Sequence, residues 1–139
     1  MTEATELRAA DALDDTTAQA LRDKLVGSWT TELDNEGKPA FGLSQFSADG
    51  GVIAMQITTK NIGLGSWKAT GPNSFEYAFH ILAAGENGEF VGEAHVRVNG
   101  TFVSDTRWEG TGGAAFYAPD GKQLSGHTGN TVVGNKFGV

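Results

Sequence analysis

The chain has 139 residues, no cysteine, 20 glycines and 3 prolines, and its 10 Lys and Arg against 17 Asp and Glu leave a net charge of −7. That length suits one domain with its own core, the missing thiols exclude disulfide frameworks, thiolate metal sites and cysteine nucleophiles, and the scattered, net acidic charge makes nucleic acid and anionic membranes poor partners. No apolar run reaches the length of a membrane span or a signal-peptide core, so a cytoplasmic location is expected.

Residues 1–13 are charged and small with no apolar face, and they read as a flexible N-terminal arm ahead of one domain over 14–139. Thr16 with Gln19 three positions on predicts a capped helix start, and Leu21 and Leu25 then share one side of a short helix ending near Leu25. A single short helix forms no core alone, so it must lie against the rest of the domain or close one end of it.

From Val26 the hydrophobic period changes to two. Strands are predicted over Val26 to Asp34, Ala40 to Ser47, Gly51 to Thr58, Gly65 to Thr70, Ser74 to Ala83, Glu89 to Val103, Thr106 to Ala118 and Lys122 to Phe137. The breaks between them, such as Asp49-Gly50, Gly71-Pro72-Asn73 and Pro119-Asp120-Gly121, are rich in turn formers and short enough to make successive strands antiparallel neighbours. Asn99-Gly100 has the composition of a hairpin turn and would split the sixth strand; alternatively Gly100 is a bulge in one long, bent strand.

Eight strands with one apolar face each must close or sandwich, and eight is the number whose interior just holds side chains or one small ligand. Two Gly-Ser-Trp tripeptides, Gly27-Ser28-Trp29 and Gly65-Ser66-Trp67, each open an alternating run. A glycine two residues before a strand tryptophan lets another backbone pass close while the indole fills a barrel end. The expected fold class is all-β: an eight-stranded antiparallel up-and-down barrel with one short N-terminal helix. The alternative architecture, a cone of curved sheet and several helices, wants more helix than residues 16–25 provide.

The first Gly-Ser-Trp, with Lys136 near the chain end, resembles the lipocalin and calycin superfamily, whose members place a basic residue across that tryptophan. Lys instead of the commoner Arg is a departure that weakens the stacking. The run from Phe46-Ser47-Ala48-Asp49-Gly50 through Gly65-Ser66-Trp67 to Tyr117-Ala118-Pro119-Asp120-Gly121 resembles small actinobacterial lipocalin-like proteins. The resemblance implies a barrel with an interior ligand site and, by analogy with barrel-type natural-product cyclases, a cofactor-independent cyclase or isomerase.

Strand faces place the candidate ligand contacts. Phe75, Tyr77, Phe79 and Ile81 share one face of the fifth strand, expected to point inward. In the third strand both faces are apolar, and the bulkier one, Ile53, Met55 and Ile57, is expected inside. The seventh strand has Trp108, Gly110, Gly112, Ala114 and Phe116 on one face, small residues between aromatic ends, which leave room for a ligand if that face lines the lumen. Candidate ligand-binding residues are Gln45, Met55, Trp67, Tyr77, Phe79, Trp108 and Tyr117.

For chemistry the chain offers Tyr77, His95 and His127 as candidate catalytic groups. His95 lies between Glu93 and Arg97 on one face, where its proton affinity would be set by charged neighbours, and His127 could turn a ring into the barrel near Tyr117. His80, His95 and His127 have no metal-ligand spacing, so no metal and no cofactor is expected. Three function classes remain: a cyclase or isomerase of secondary metabolism that folds a polyketide-type chain inside the barrel, a non-catalytic binder of a hydrophobic small molecule, and an interaction protein with a filled lumen that forms a homodimer through the charged face of the sixth strand.

Overall fold

The computed structural model describes residues 14–35 and 37–138, so the expected arm at 1–13 lies outside the described residues. Helix α1 spans Asp15–Leu25. Its cap is Asp14, not Thr16: the Asp14 carboxylate accepts from the Thr17 amide at 2.9 Å and from the Thr17 hydroxyl at 3.0 Å. An anionic cap suits the positive end of a helix, and two donors on Thr17 reward the earlier start. Gln19 donates instead to Asp23 at 2.7 Å. Leu21 and Leu25 are fully buried against the barrel, as their spacing predicts.

Eight strands come after the helix: β1 (Gly27–Asn35), β2 (Lys38–Phe46), β3 (Gly51–Gln56), β4 (Gly63–Ala69), β5 (Ser74–Ala84), β6 (Phe90–Ser104), β7 (Arg107–Tyr117) and β8 (Gln123–Phe137). Each pairs with the next, and β8 returns to β1 from Leu33↔Val132 to Ser28↔Phe137, so the sheet closes into an up-and-down barrel. β6 is unbroken at Gly100, which pairs with Phe75 on one side and Gly110 on the other; it is neither a hairpin turn nor a bulge. A side chain there would meet two rings, because a Cβ would lie 2.6 Å from Phe75 Cζ and 3.0 Å from Trp108 Cε3.

The helix end of the lumen is filled. Trp29, Phe46, Phe75 and Trp108 are fully buried, with Phe75 edge-on to Trp108 at a ring separation of 5.3 Å and Trp29 edge-on to Phe102 at 5.8 Å. The indole N–H of Trp29 donates to the Leu25 carbonyl at 2.8 Å, and that of Trp67 to the Ser47 carbonyl at 2.9 Å. Both Gly-Ser-Trp segments therefore plug this end. Gly65 serves close backbone approach, since a Cβ would fall 1.8 Å from the Ala78 carbonyl oxygen; Gly27 serves conformation, with φ at +134°.

β3 reverses the expected orientation. Val52 and Ala54 point inward, while Ile53, Met55 and Ile57 are exposed outside. The rings of Phe46, Tyr77 and Phe79 already occupy the lumen, so only small side chains fit on β3 beside them. The larger set joins Phe41, Leu43 and Leu64 on an apolar outer wall of β2 to β4. Among the described residues, no helix is long and apolar enough to cross a membrane.

Candidate functional site

The end of the barrel away from α1 is open. Its lumen holds a cavity of about 300 Å³ walled largely by small and β-branched side chains, including Ala54, Ala94, Val96, Val98, Ala114 and Val132. Gly112 and Ala114 line the cavity, so the small-residue face of β7, which the sequence leaves open in direction, points into the lumen. Tyr77 and Phe79, successive inward residues of β5, supply the aromatic surface. Tyr77 sits where the packed half meets the empty half: its ring is edge-on to Phe46 at 5.0 Å, stacked with Phe79 at 6.0 Å and also borders the cavity.

Polar groups are few and placed at two depths. Inside, Tyr77 and Ser44 are both buried. Burial pushes the Tyr77 phenol well above its ordinary range, with a hydrogen bond to the Ser44 side chain acting in the opposite, smaller sense, so the phenol is a neutral donor and acceptor. At the rim, Thr31, Gln56, Thr58, Thr59 and His127 surround the opening together with Phe116. His127 reaches this rim because the β7–β8 register shifts between Gly112 and Ala114, which sets it directly opposite the inward-facing Ala114. Its Nδ1 lies 3.3 Å from Asn130 Oδ1. Beyond the mouth, a second recess of about 560 Å³ shares Thr58, Thr59, Ile81, Ala94 and Phe116 with the first.

The sequence-predicted ligand residues divide accordingly. Tyr77 and Phe79 line the cavity. Trp67 and Trp108 belong to the packing at the closed end, Gln45 is exposed on the outside of β2, and Met55 is exposed beside Leu43 with only an edge on the cavity. Tyr117 faces outward, so it does not approach His127 within the lumen. Ser44 and Gln56 are additions to the predicted set; each lies two residues from an inward neighbour, Phe46 and Ala54, and the period of two points to both once those faces are fixed.

A different group gathers on the outer wall of β5 and β6. His80 and His95 are opposite partners in the ladder, their rings parallel to within 5° with centroids 3.6 Å apart. Glu93 bonds His95 Nε2 through Oε1, and the same oxygen is 3.5 Å from His80 Nδ1. The Tyr117 ring covers His95 at 4.4 Å. Strand alternation alone pairs His95 with Glu93; the ladder adds His80 to them.

No protein-family model matches the chain, and no curated protein does either. Solved structures do. EF1p2_mFAP2b bound to DFHBI superposes with a TM-score of 0.62 at 15% identity, over 86% of this chain and 99% of that one. A redesigned beta barrel, b11L5F_LGL, gives 0.57 at 17% identity, over 86% and 96%. The likeness is one of fold. It agrees with the closed β-barrel expected from the sequence.

Proposed function

We propose that the barrel binds a compact, largely apolar small molecule in the open half of its lumen. The unfilled 300 Å³ between Tyr77 and the Phe116 and His127 rim carries this reading. A barrel whose core served only stability would fill that space, because each unfilled volume forfeits contacts. The size is at the lower end of small-molecule pockets, about 300 to 1,000 Å³. A longer ligand would have to extend into the recess outside the mouth. The superposed barrel bound to DFHBI supports the reading, since that fold accommodates an organic ligand. An open lumen also weighs against the interaction protein with a filled interior.

The catalytic version of the same reading is a cofactor-independent cyclase or isomerase that folds a polyketide-type chain. The Tyr77 and Ser44 pair favours it, as a neutral, buried phenol can donate one hydrogen bond to a substrate carbonyl and polarise it. Positioning adds to this without a nucleophile: holding a flexible chain in a near-attack geometry can supply several kcal/mol, with about 7 to 11 kcal/mol the range for ideal alignment of two reacting groups.

The experiment is titration of the purified protein with 8-anilinonaphthalene-1-sulfonate and with DFHBI, followed by native mass spectrometry after incubation with a metabolite extract of the producing strain. Binding of either dye that is lost in Ala114→Phe supports the lumen site. A bound metabolite released as an isomer, with release slowed in Tyr77→Phe, supports catalysis; one returned unchanged leaves a binder. Dye binding equal in wild type and Ala114→Phe overturns the proposal.

A further inference from the structure

We propose that His80, Glu93 and His95 form a site for one divalent transition-metal ion, of the zinc and nickel class, on the outer wall of the barrel. It is separate from the lumen and independent of the ligand site there. The ladder brings the three together. His80 and His95 are directly opposite on β5 and β6, and Glu93 is two residues before His95 on the same face. One potential ligand atom from each lies within 4.8 Å of the others. A tetrahedral ion with bonds of about 2.0 to 2.1 Å needs ligand atoms roughly 3.3 Å apart; His80 Nδ1 and Glu93 Oε1, 3.5 Å apart, are already near that spacing, while His95 Nε2 and Glu93 Oε1, in direct contact, must move apart to admit the ion.

The donor set selects the ion. Two imidazoles with one carboxylate suit zinc, nickel and copper(II), whereas calcium and magnesium require more oxygen ligands than this wall offers. The set carries one negative charge when both rings are neutral, on a chain of net charge −7. Arg97, two residues beyond His95, is the opposing charge; it is exposed and lines a shallow outer recess together with His80 and His95.

Parallel rings 3.6 Å apart cannot both aim an in-plane lone pair at one ion, so one of them must turn. His95 is held by Glu93 on one side and the Tyr117 ring on the other. His80, whose side chain is 58% exposed and whose contact with Glu93 is 3.5 Å, has room to move. Binding therefore breaks the stack by rotating His80 towards His95 and Glu93; the ion displaces to solvent the proton held between His95 Nε2 and Glu93 Oε1, these two atoms move apart around it, and solvent completes the coordination from the open side.

The test uses the full chain in chelator-free buffer, titrated calorimetrically with zinc chloride and nickel chloride, with magnesium chloride as the contrasting ion. One zinc per chain is expected, with affinity reduced at least tenfold in His80→Ala, His95→Ala and Glu93→Gln and unchanged in Glu109→Gln, an exposed carboxylate away from the cluster. Glu93→Gln keeps the shape of the side chain and guards against a folding artefact. Independently of any variant, zinc should shift the ring-proton NMR signals of His80 and His95 and leave those of His127 in place. Zinc bound equally well by the His80→Ala/His95→Ala double variant, no zinc bound by the wild type, or shifts confined to His127 would each overturn the proposal.

Discussion

Lys136 and Trp29 face each other across the β1–β8 seam that closes the barrel. They are register partners, with the ammonium 5.6 Å from the indole ring and donating to the Lys24 carbonyl at 2.8 Å. One side chain thus ties the last strand to the first strand and to the end of α1, where a cation also complements the helix dipole. The sequence resemblance anticipates the stacking; the link to the helix is visible only in three dimensions.

Replacing Lys136 should therefore loosen both closures. Lys136→Met removes a cation–π contact of about 0.5 to 1 kcal/mol and a charged hydrogen bond of about 1.5 kcal/mol or more, so a loss of about 2 kcal/mol is expected in urea unfolding. Lys136→Arg should retain more than half of that, because guanidinium stacks on indole and still donates.

Gly65→Ala should be far worse than its size suggests. The new methyl would occupy the position of the Ala78 carbonyl oxygen and approach Phe79 Cα at 2.6 Å, both backbone atoms that cannot rotate away. A destabilisation of about 3 kcal/mol or more is expected, at or above the upper end of ordinary overpacking. Gly138→Ala, with nothing within 4 Å, is the neutral control. Thermal unfolding of the two variants compares them directly.

Stability should fall at alkaline pH through Tyr77. Its folded-state pKa is raised above the ordinary 10.0 by burial, so the folded state holds the proton more tightly than the unfolded chain. That contribution is fully present below about pH 10 and is lost as pH rises beyond it. Urea midpoints measured from pH 9 to pH 11.5 should decline more steeply for the wild type than for Tyr77→Phe. At pH 7 the substitution should cost about 1 kcal/mol, the worth of one buried hydrogen bond.

Ala114→Phe should separate stability from ligand capacity. The ring would enter the cavity beside Val96 and Val132 instead of the packed end. Dye affinity should drop at least tenfold while unfolding free energy changes by less than about 2 kcal/mol, read from the same preparation.

Much of the fold is legible in the sequence because period, turns and strand number constrain one another. The eight strands, the buried Leu21 and Leu25 and the tryptophan plugs come from local pattern, whereas the small-residue face of β7 is visible in the sequence but its inward direction is not. β3 is not legible in this way, because Ile53, Met55 and Ile57 and their alternates are all acceptable in a core, and only the rings on β2 and β5 decide between them. His127 escapes a firm placement because its face depends on the register shift in β7 and β8. His80 and His95 are 15 residues apart, and their meeting depends on the register of the β5–β6 hairpin, with its irregularity at Ala83 and Ala84. Spacing rules for metal ligands read along the chain and have no term for a partner on the facing strand.

The aromatic side chains are concentrated at the helix end, while small and β-branched ones wall the open half. Local opening should accordingly be frequent at the mouth and rare at the plug, which hydrogen exchange would show as a gradient along each strand. Ala94 and Ala114 border the unfilled space, so exchanges there should change what the barrel admits more than whether it forms. Descendants of such a chain could keep the same tryptophan anchor and diverge in cargo.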